Sequence, residues 1–281
     1  MEHLNSSHKL HIRQVIARYE AMSQKGTVSL LEETVFLGMI DYCISEEKLT
    51  KALRIVNDAI PQHPFSVDLY LHKAHLLLNQ HNIAESLVTV NQVKLFAPLT
   101  VEVELLHAEL LGLNGKNHEA LNMLSEIKPL TSREVRSKVY LLEAQLFENL
   151  GQYSKMFDAA SRCLALNDAN IEGYERMIWA TEYSQRFAES VKFHNRLLDR
   201  DAYNWRAWLN LGFAQEALDN NNEAIEAFEY AIAIDDKCRA AYMEAGELLL
   251  HIGNYTRAQY IFEMAIFNTG EDSVVLQKPN F

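Results

Sequence analysis

Two histidines stand three residues apart, His72 and His75, one turn after Asp68. On a helix that spacing lets both imidazoles face a single metal ion. Such a site needs further donors, and no cysteine or other carboxylate is spaced to supply them. The pair therefore reads as two histidines on a helix surface, and no metal is expected. Cys43 could serve as a nucleophile only beside a base, and no histidine lies at a spacing that suggests pairing. The chain has no Gly-rich phosphate loop, no Gly-x-Ser-x-Gly elbow and no His-Glu-x-x-His pair. Neither catalysis nor a cofactor is expected of it.

Composition narrows the class of elements that position these residues. The chain has 281 residues, 48% of them hydrophobic, which is enough to bury a core. Only 10 glycines and 5 prolines punctuate it, so long helices are expected. Strictly alternating runs of Val, Ile and Thr are rare, which argues against sheets. No apolar stretch has the length of a membrane span, and the N-terminal segment MEHLNSSHKLHIRQVIARYE lacks the apolar core of a signal peptide. Cys43, Cys163 and Cys238 are widely spaced, as expected of buried thiols in a reducing cytoplasm. The net charge of -12 makes nucleic acid a poor partner.

A repeat organises the chain. The stretch AWLNLGFAQEALDNNNEAIEAFEYAIA, residues 207–233, has Trp208, Gly212, Ala224, Phe228 and Ala231; Tyr242, Gly246, Ala258, Phe262 and Ala265 follow each of these by 34 residues. Stepping back from Trp208 by the same period gives Tyr174 and Tyr140, then, after a two-residue offset, Glu104, Tyr70 and Phe36. The Gly212 column continues as Ile178, Ala144, Ala108, Ala74 and Ile40, and the Ala224 column as Ser190, Met156, Ala120, Ser86 and Ala52. Seven copies follow: 33–66, 67–100, 101–134, 137–170, 171–204, 205–238 and 239–272, with only 135–136 breaking the period. Each copy reads as two helices around a polar turn. In the sixth they run from about Trp205 to Leu218 and from about Asn222 to Ile234. Asn114-Gly115, Gly151 and Gly253 mark the equivalent turns as helix stops, and Pro64 and Pro98 end second helices. Small residues belong where two helices cross closely, with the Trp or Tyr filling the space beside them.

This period, with Trp208, Leu211-Gly212, Ala224, Phe228 and Ala231 in order, resembles the tetratricopeptide repeat. The resemblance implies an all-α, right-handed superhelical solenoid of antiparallel helix pairs. The third to fifth copies depart from it, with Glu143 for the first Leu in the fourth and Ser190 for the Ala in the fifth. Residues 1–32 are expected to hold a capping helix over 8–24, with Ile12, Val15, Ile16, Tyr19 and Met22 on one face and Gly26 as its stop. The tail 273–281 has Pro279 where an eighth first helix would run, and is expected to be cut from a longer chain.

In the resembling family the first helix of each pair lines a groove, and its positions 2, 5, 6, 9, 12 and 13 face inward. Those slots hold eleven carboxylates here: Asp41, Asp68, Glu102, Glu109, Glu148, Glu172, Glu175, Glu182, Glu216, Glu244 and Glu247. They hold three basic residues, Lys138, Arg176 and Arg206, and the apolar Leu71, Leu105, Leu141, Trp179, Tyr183, Leu209, Phe213 and Met243. An acidic groove with aromatics suggests a protein or peptide partner that brings Lys or Arg and an apolar anchor; the competing reading is a merely solvated surface. The basic clamp with which some members grip acidic chaperone tails is not assembled. Its slots in the last three copies hold Glu175, Trp179, Asn210, Ala240 and Glu244. The expectation is a non-enzymatic, cytoplasmic interaction scaffold of unspecified oligomeric state. The alternative is a regulatory arm of a larger enzyme or of a bacterial envelope assembly complex.

Overall fold

The structure, a computed structural model, describes residues 2–24, 30–98 and 100–270. Among the described residues there are fifteen α-helices, one short 3-10 turn and no strand. None of these helices is long and apolar enough to cross a membrane. The helices divide into two compact units, residues 1–129 and 130–281. The first contains α1 (Glu2–Gln24), α2 (Glu33–Ser45), α3 (Leu49–Ala59), α4 (Val67–Asn79), α5 (Ile83–Phe96), α6 (Val101–Leu113) and α7 (Asn117–Ile127). The second contains α8 (Arg133–Asn149), α9 (Tyr153–Leu166), α10 (Ile171–Ser184), α11 (Phe187–Leu198), α12 (Trp205–Glu216), α13 (Asn221–Ile234), α14 (Arg239–His251) and α15 (Tyr255–Thr269). Within each unit every helix packs mainly on its chain neighbours, which is the arrangement of a helical solenoid.

Local chemistry sets the helix boundaries. Ser66, Asn82, Ser132, Asn170, Asn204 and Asn254 each accept a backbone N–H of the first turn of the helix they precede. Between the two helices of every pair one residue turns left-handed: Glu47, His81, Gly115, Gly151, Gln185, Asp219 and Gly253, with φ between 57° and 78°. Where the period slips, α8 begins at Arg133 and runs for 17 residues. It therefore starts four residues before the expected 137, and residues 135–136 are helical.

The periodic columns form the core. Ala52, Ser86, Ala120, Met156, Ser190, Ala224 and Ala258 are all buried, as are Ala59, Val93, Ile127, Cys163, Leu197, Ala231 and Ala265. The close crossing in α12 and α14 falls at glycine. A Cβ on Gly212 would lie 2.3 Å from the Phe228 ring, and one on Gly246 would lie 2.4 Å from Phe262. Glu104 occupies the Trp column yet is 6% exposed. Lys94 Nζ lies 2.8 Å from its carboxylate and 3.1 Å from His107 Nδ1. That pairing is what a charge in a core column requires. Helix α1 packs on α2, burying Ile16 and Tyr19, with Tyr19 edge-on to Phe36. It starts at Glu2 rather than residue 8, and Met22 is 38% exposed. The expected stop at Gly26 and the tail 273–281 lie outside the described residues.

Candidate functional site

In the first unit the sequence-derived slots mix carboxylates with leucines. Asp41 is exposed on α2, and its carboxylate lies 3.6 Å from Nε2 of His72 on α4. Asp68 and Glu102 are exposed, and Leu71, Leu105 and Glu109 are half-buried. Among the described residues no three His, Cys, Asp or Glu side chains gather as a metal-binding set.

The second unit differs. Leu141 and Glu148 of α8 are half-buried, and the Glu148 carboxylate is engaged by Arg176 of α10 in an ion pair. One of the three basic slots thus neutralises one of the acidic ones. Leu209 is 8% exposed and belongs to the core cluster that includes Tyr242 and Leu249. Trp179 and Tyr183, one turn apart on α10, are 53% and 56% exposed, and their rings stack at 6.0 Å. Tyr153, the first residue of α9, continues the stack at 4.6 Å from Tyr183. Slot counting on first helices could not find Tyr153, which begins a second helix.

Glu172, Glu175 and Glu182 are exposed on α10, and Met243 is half-buried on α14. Glu216 of α12 and Glu244 and Glu247 of α14 crowd one another. Burial pushes the Glu244 carboxyl up to about 7, and the charges of Glu216 and Glu247 add to the shift. Burial likewise raises Glu216, with Glu247 next in effect. No described residue forms an ion pair with any of the three.

Beside this cluster lies a cavity of about 240 Å³. Its walls are Ile178, Phe187, Phe213, Ala214 and Ala217, its polar lining is Thr181, Ser190 and Asn210, and Glu182 and Glu216 complete it. The cavity exists because the fifth pair is splayed: α10 packs little on its own partner α11 and makes direct contact with α12. At the crossing positions the fifth copy has Ile178 where the sixth has Gly212, and His194 where the sixth has Phe228. His194 is fully buried and stacks on Tyr174, and burial pushes its imidazole down to about 4. It is neutral at ordinary pH. Its Nδ1 lies 2.9 Å from the Ser190 carbonyl and 3.2 Å from Ser190 Oγ, to which Thr181 donates.

Comparison with known proteins places this architecture. A family model described as the tetratricopeptide repeat matches residues 206–238. No curated protein matches the sequence. Among solved structures, the C-terminal part of a TPR repeat-containing protein from Cytophaga hutchinsonii is similar with a TM-score of 0.61 at 13% identity, over 82% of this chain and 93% of that one. A tetratricopeptide repeat protein from Parabacteroides merdae is similar with a TM-score of 0.50 at 15% identity, over 95% and 94% of the two chains. At these identities the likeness is one of fold, and it coincides with a helix pair that recurs at the family's period and with the matched sixth copy. The chain carries a tetratricopeptide repeat at residues 206–238 and has the helical fold of tetratricopeptide repeat proteins.

Proposed function

We propose that the chain is a non-enzymatic scaffold that holds a basic peptide or protein segment on the first-helix face of its second unit. The seven-copy register of 33–272 is the frame of this proposal, with the N-terminal helix as its cap. Tetratricopeptide repeats commonly mediate protein or peptide interactions, and the fold is generally an interaction scaffold. The observation that carries the reading here is the crowding of Glu216, Glu244 and Glu247, with only His251 acting against it and no ion pair among the described residues, beside the exposed Trp179–Tyr183 stack. Like-charged carboxylates held together raise one another's cost, and a partner's Lys or Arg relieves it. The stacked rings offer rigid area for an apolar anchor. Cys43, Cys163 and Cys238 are buried free thiols held protonated by burial, which supports a reducing, cytoplasmic setting.

The test is selection of displayed random dodecapeptides on the full chain, followed by affinity measurement. Enriched peptides are expected to be basic. Glu175→Lys with Glu182→Lys should abolish their binding, and Trp179→Ala should weaken it about tenfold or more through faster dissociation. Helical circular dichroism should be unchanged in both variants. Enriched peptides that bind both variants as tightly as the parent chain would sink the proposal, as would a selection that enriches nothing.

A further inference from the structure

We infer that the cavity between α10, α11 and α12 is a pocket for one arginine side chain of the partner. This inference rests on the scaffold reading and deepens it. Three observations converge.

The first is shape and lining. A cavity of about 240 Å³ with walls of Ile178, Phe187, Phe213 and Ala214 suits an unbranched aliphatic stem ending in a flat group. The second is polarity. The polar side chains that line it and are nine-tenths or more buried are Thr181, Ser190 and Asn210, at 6%, 1% and 4% exposure. Asn210 Nδ2 donates to the Arg206 carbonyl, which leaves its Oδ1 as an acceptor without a partner among the described residues. The Thr181 hydroxyl donates to Ser190 Oγ and keeps its lone pairs. Glu182 and Glu216 add carboxylate acceptors, and no described residue forms an ion pair with either. A pocket with this surplus of acceptors calls for a donor-rich cation. The guanidinium brings five donors in a plane, and its faces stack on aromatic rings such as Phe213 and Phe187.

The third observation is where the departures from the repeat fall. Ser190 replaces an alanine, Ile178 a glycine and His194 a phenylalanine relative to the sixth copy. Ser190 and Ile178 line the cavity itself, and His194 is hydrogen-bonded to Ser190 from behind. A stack optimised only for packing would keep the small residue and the ring, as the sixth and seventh copies do at Gly212–Phe228 and Gly246–Phe262. In the fifth copy the same positions open a polar-lined hole.

The probe is Nα-acetyl-arginine methylamide, titrated into the full-length isotope-labelled chain while amide shifts are followed by nuclear magnetic resonance. The citrulline analogue, equal in shape but uncharged, is the control. Saturable shifts are expected at Thr181, Ser190, Asn210 and Phe213, with citrulline binding at least tenfold more weakly. Glu182→Gln with Glu216→Gln should abolish the response. Ala217→Trp, which plugs the cavity from its exposed rim, should do the same with an unchanged helical spectrum. Silence at these four amides, an equal response to citrulline, or shifts that survive the plug would each overturn the assignment. The two readings fail separately. If dodecapeptides bind the parent chain and its Ala217→Trp variant alike, the pocket is wrong and the scaffold stands. If the arginine probe fills the cavity but no peptide binds the chain, the scaffold is wrong and the pocket stands.

Discussion

At Gly212 a methyl group has nowhere to go, because the Phe228 ring carbon that it would meet at 2.3 Å belongs to a fully buried side chain. Gly212→Ala is therefore expected to cost about 1–3 kcal/mol by overpacking. Adding Phe228→Leu should return part of that loss, and a urea titration of the single and double variants measures both. An additive double variant would mean that the two positions do not meet. Ala224→Leu, in the neighbouring fully buried column, should cost a similar ~1–3 kcal/mol. His194 shows the opposite compromise, a polar group kept in the core. Its folded value of about 4 lies below the ordinary 6.5. The unfolded chain takes up a proton as pH falls through 6.5, and the folded chain does so only near 4, so stability declines with acid across that window. The shift corresponds to about 3 kcal/mol at full extent. His194→Leu should flatten this part of the acid limb, which melts at neutral and mildly acidic pH would reveal. An unchanged slope would place the acid sensitivity elsewhere.

At the scale of elements, each helix pair turns through one left-handed residue, and only three of the seven are glycine. Glu47, His81, Gln185 and Asp219 hold φ of 57–60° with a Cβ in place. A left-handed residue with a side chain costs about 1–2 kcal/mol. Glu47→Gly should therefore stabilise the first unit by about 1 kcal/mol, and Gly151→Ala should destabilise the second by a similar ~1 kcal/mol. Thermal melts of the two variants moving in the same direction would refute the turn assignment. The turns marked by Gly115, Gly151 and Gly253 are visible in the sequence because glycine announces them, those at Glu47 and Asp219 because the residues around them are polar, and the other two follow from the period. The core columns were legible for a like reason: a repeat shows seven times what a single helix shows once. What periodicity could not reveal is where one copy behaves unlike the others. The cavity lies where α10 packs little on α11 and directly on α12, a local departure that no single column of the repeat announces. Leu209 occupies a groove slot by position, yet it is 8% exposed within the core cluster, which slot number alone does not reveal.

For the molecule as a whole, the net charge of -12 sets a field that attracts cations, and the second unit concentrates part of it at Glu216, Glu244 and Glu247. Glu244 makes that attraction depend on pH. Its carboxyl is raised from 4.5 to about 7, so the folded chain keeps a proton there that the unfolded chain has already released. The folded state binds more protons between those values, and this group's contribution to stability falls as pH rises through them. Binding of a basic partner runs the other way. A cation seated beside Glu244 favours its charged form, so association expels the proton and strengthens as pH rises. The same surface thus becomes more strained and better at binding together. Affinity for a selected basic peptide is expected to increase between about pH 6 and about pH 8, with proton release that calorimetry in buffers of different ionisation enthalpy detects. Glu244→Gln should remove both the proton release and most of the pH dependence. Raising salt should weaken binding at either pH, since exposed attractions are screened beyond about 8 Å at physiological ionic strength. A peptide whose affinity ignores pH, salt and Glu244→Gln alike would show that it is held by apolar contacts alone, and that the carboxylate trio contributes nothing to recognition.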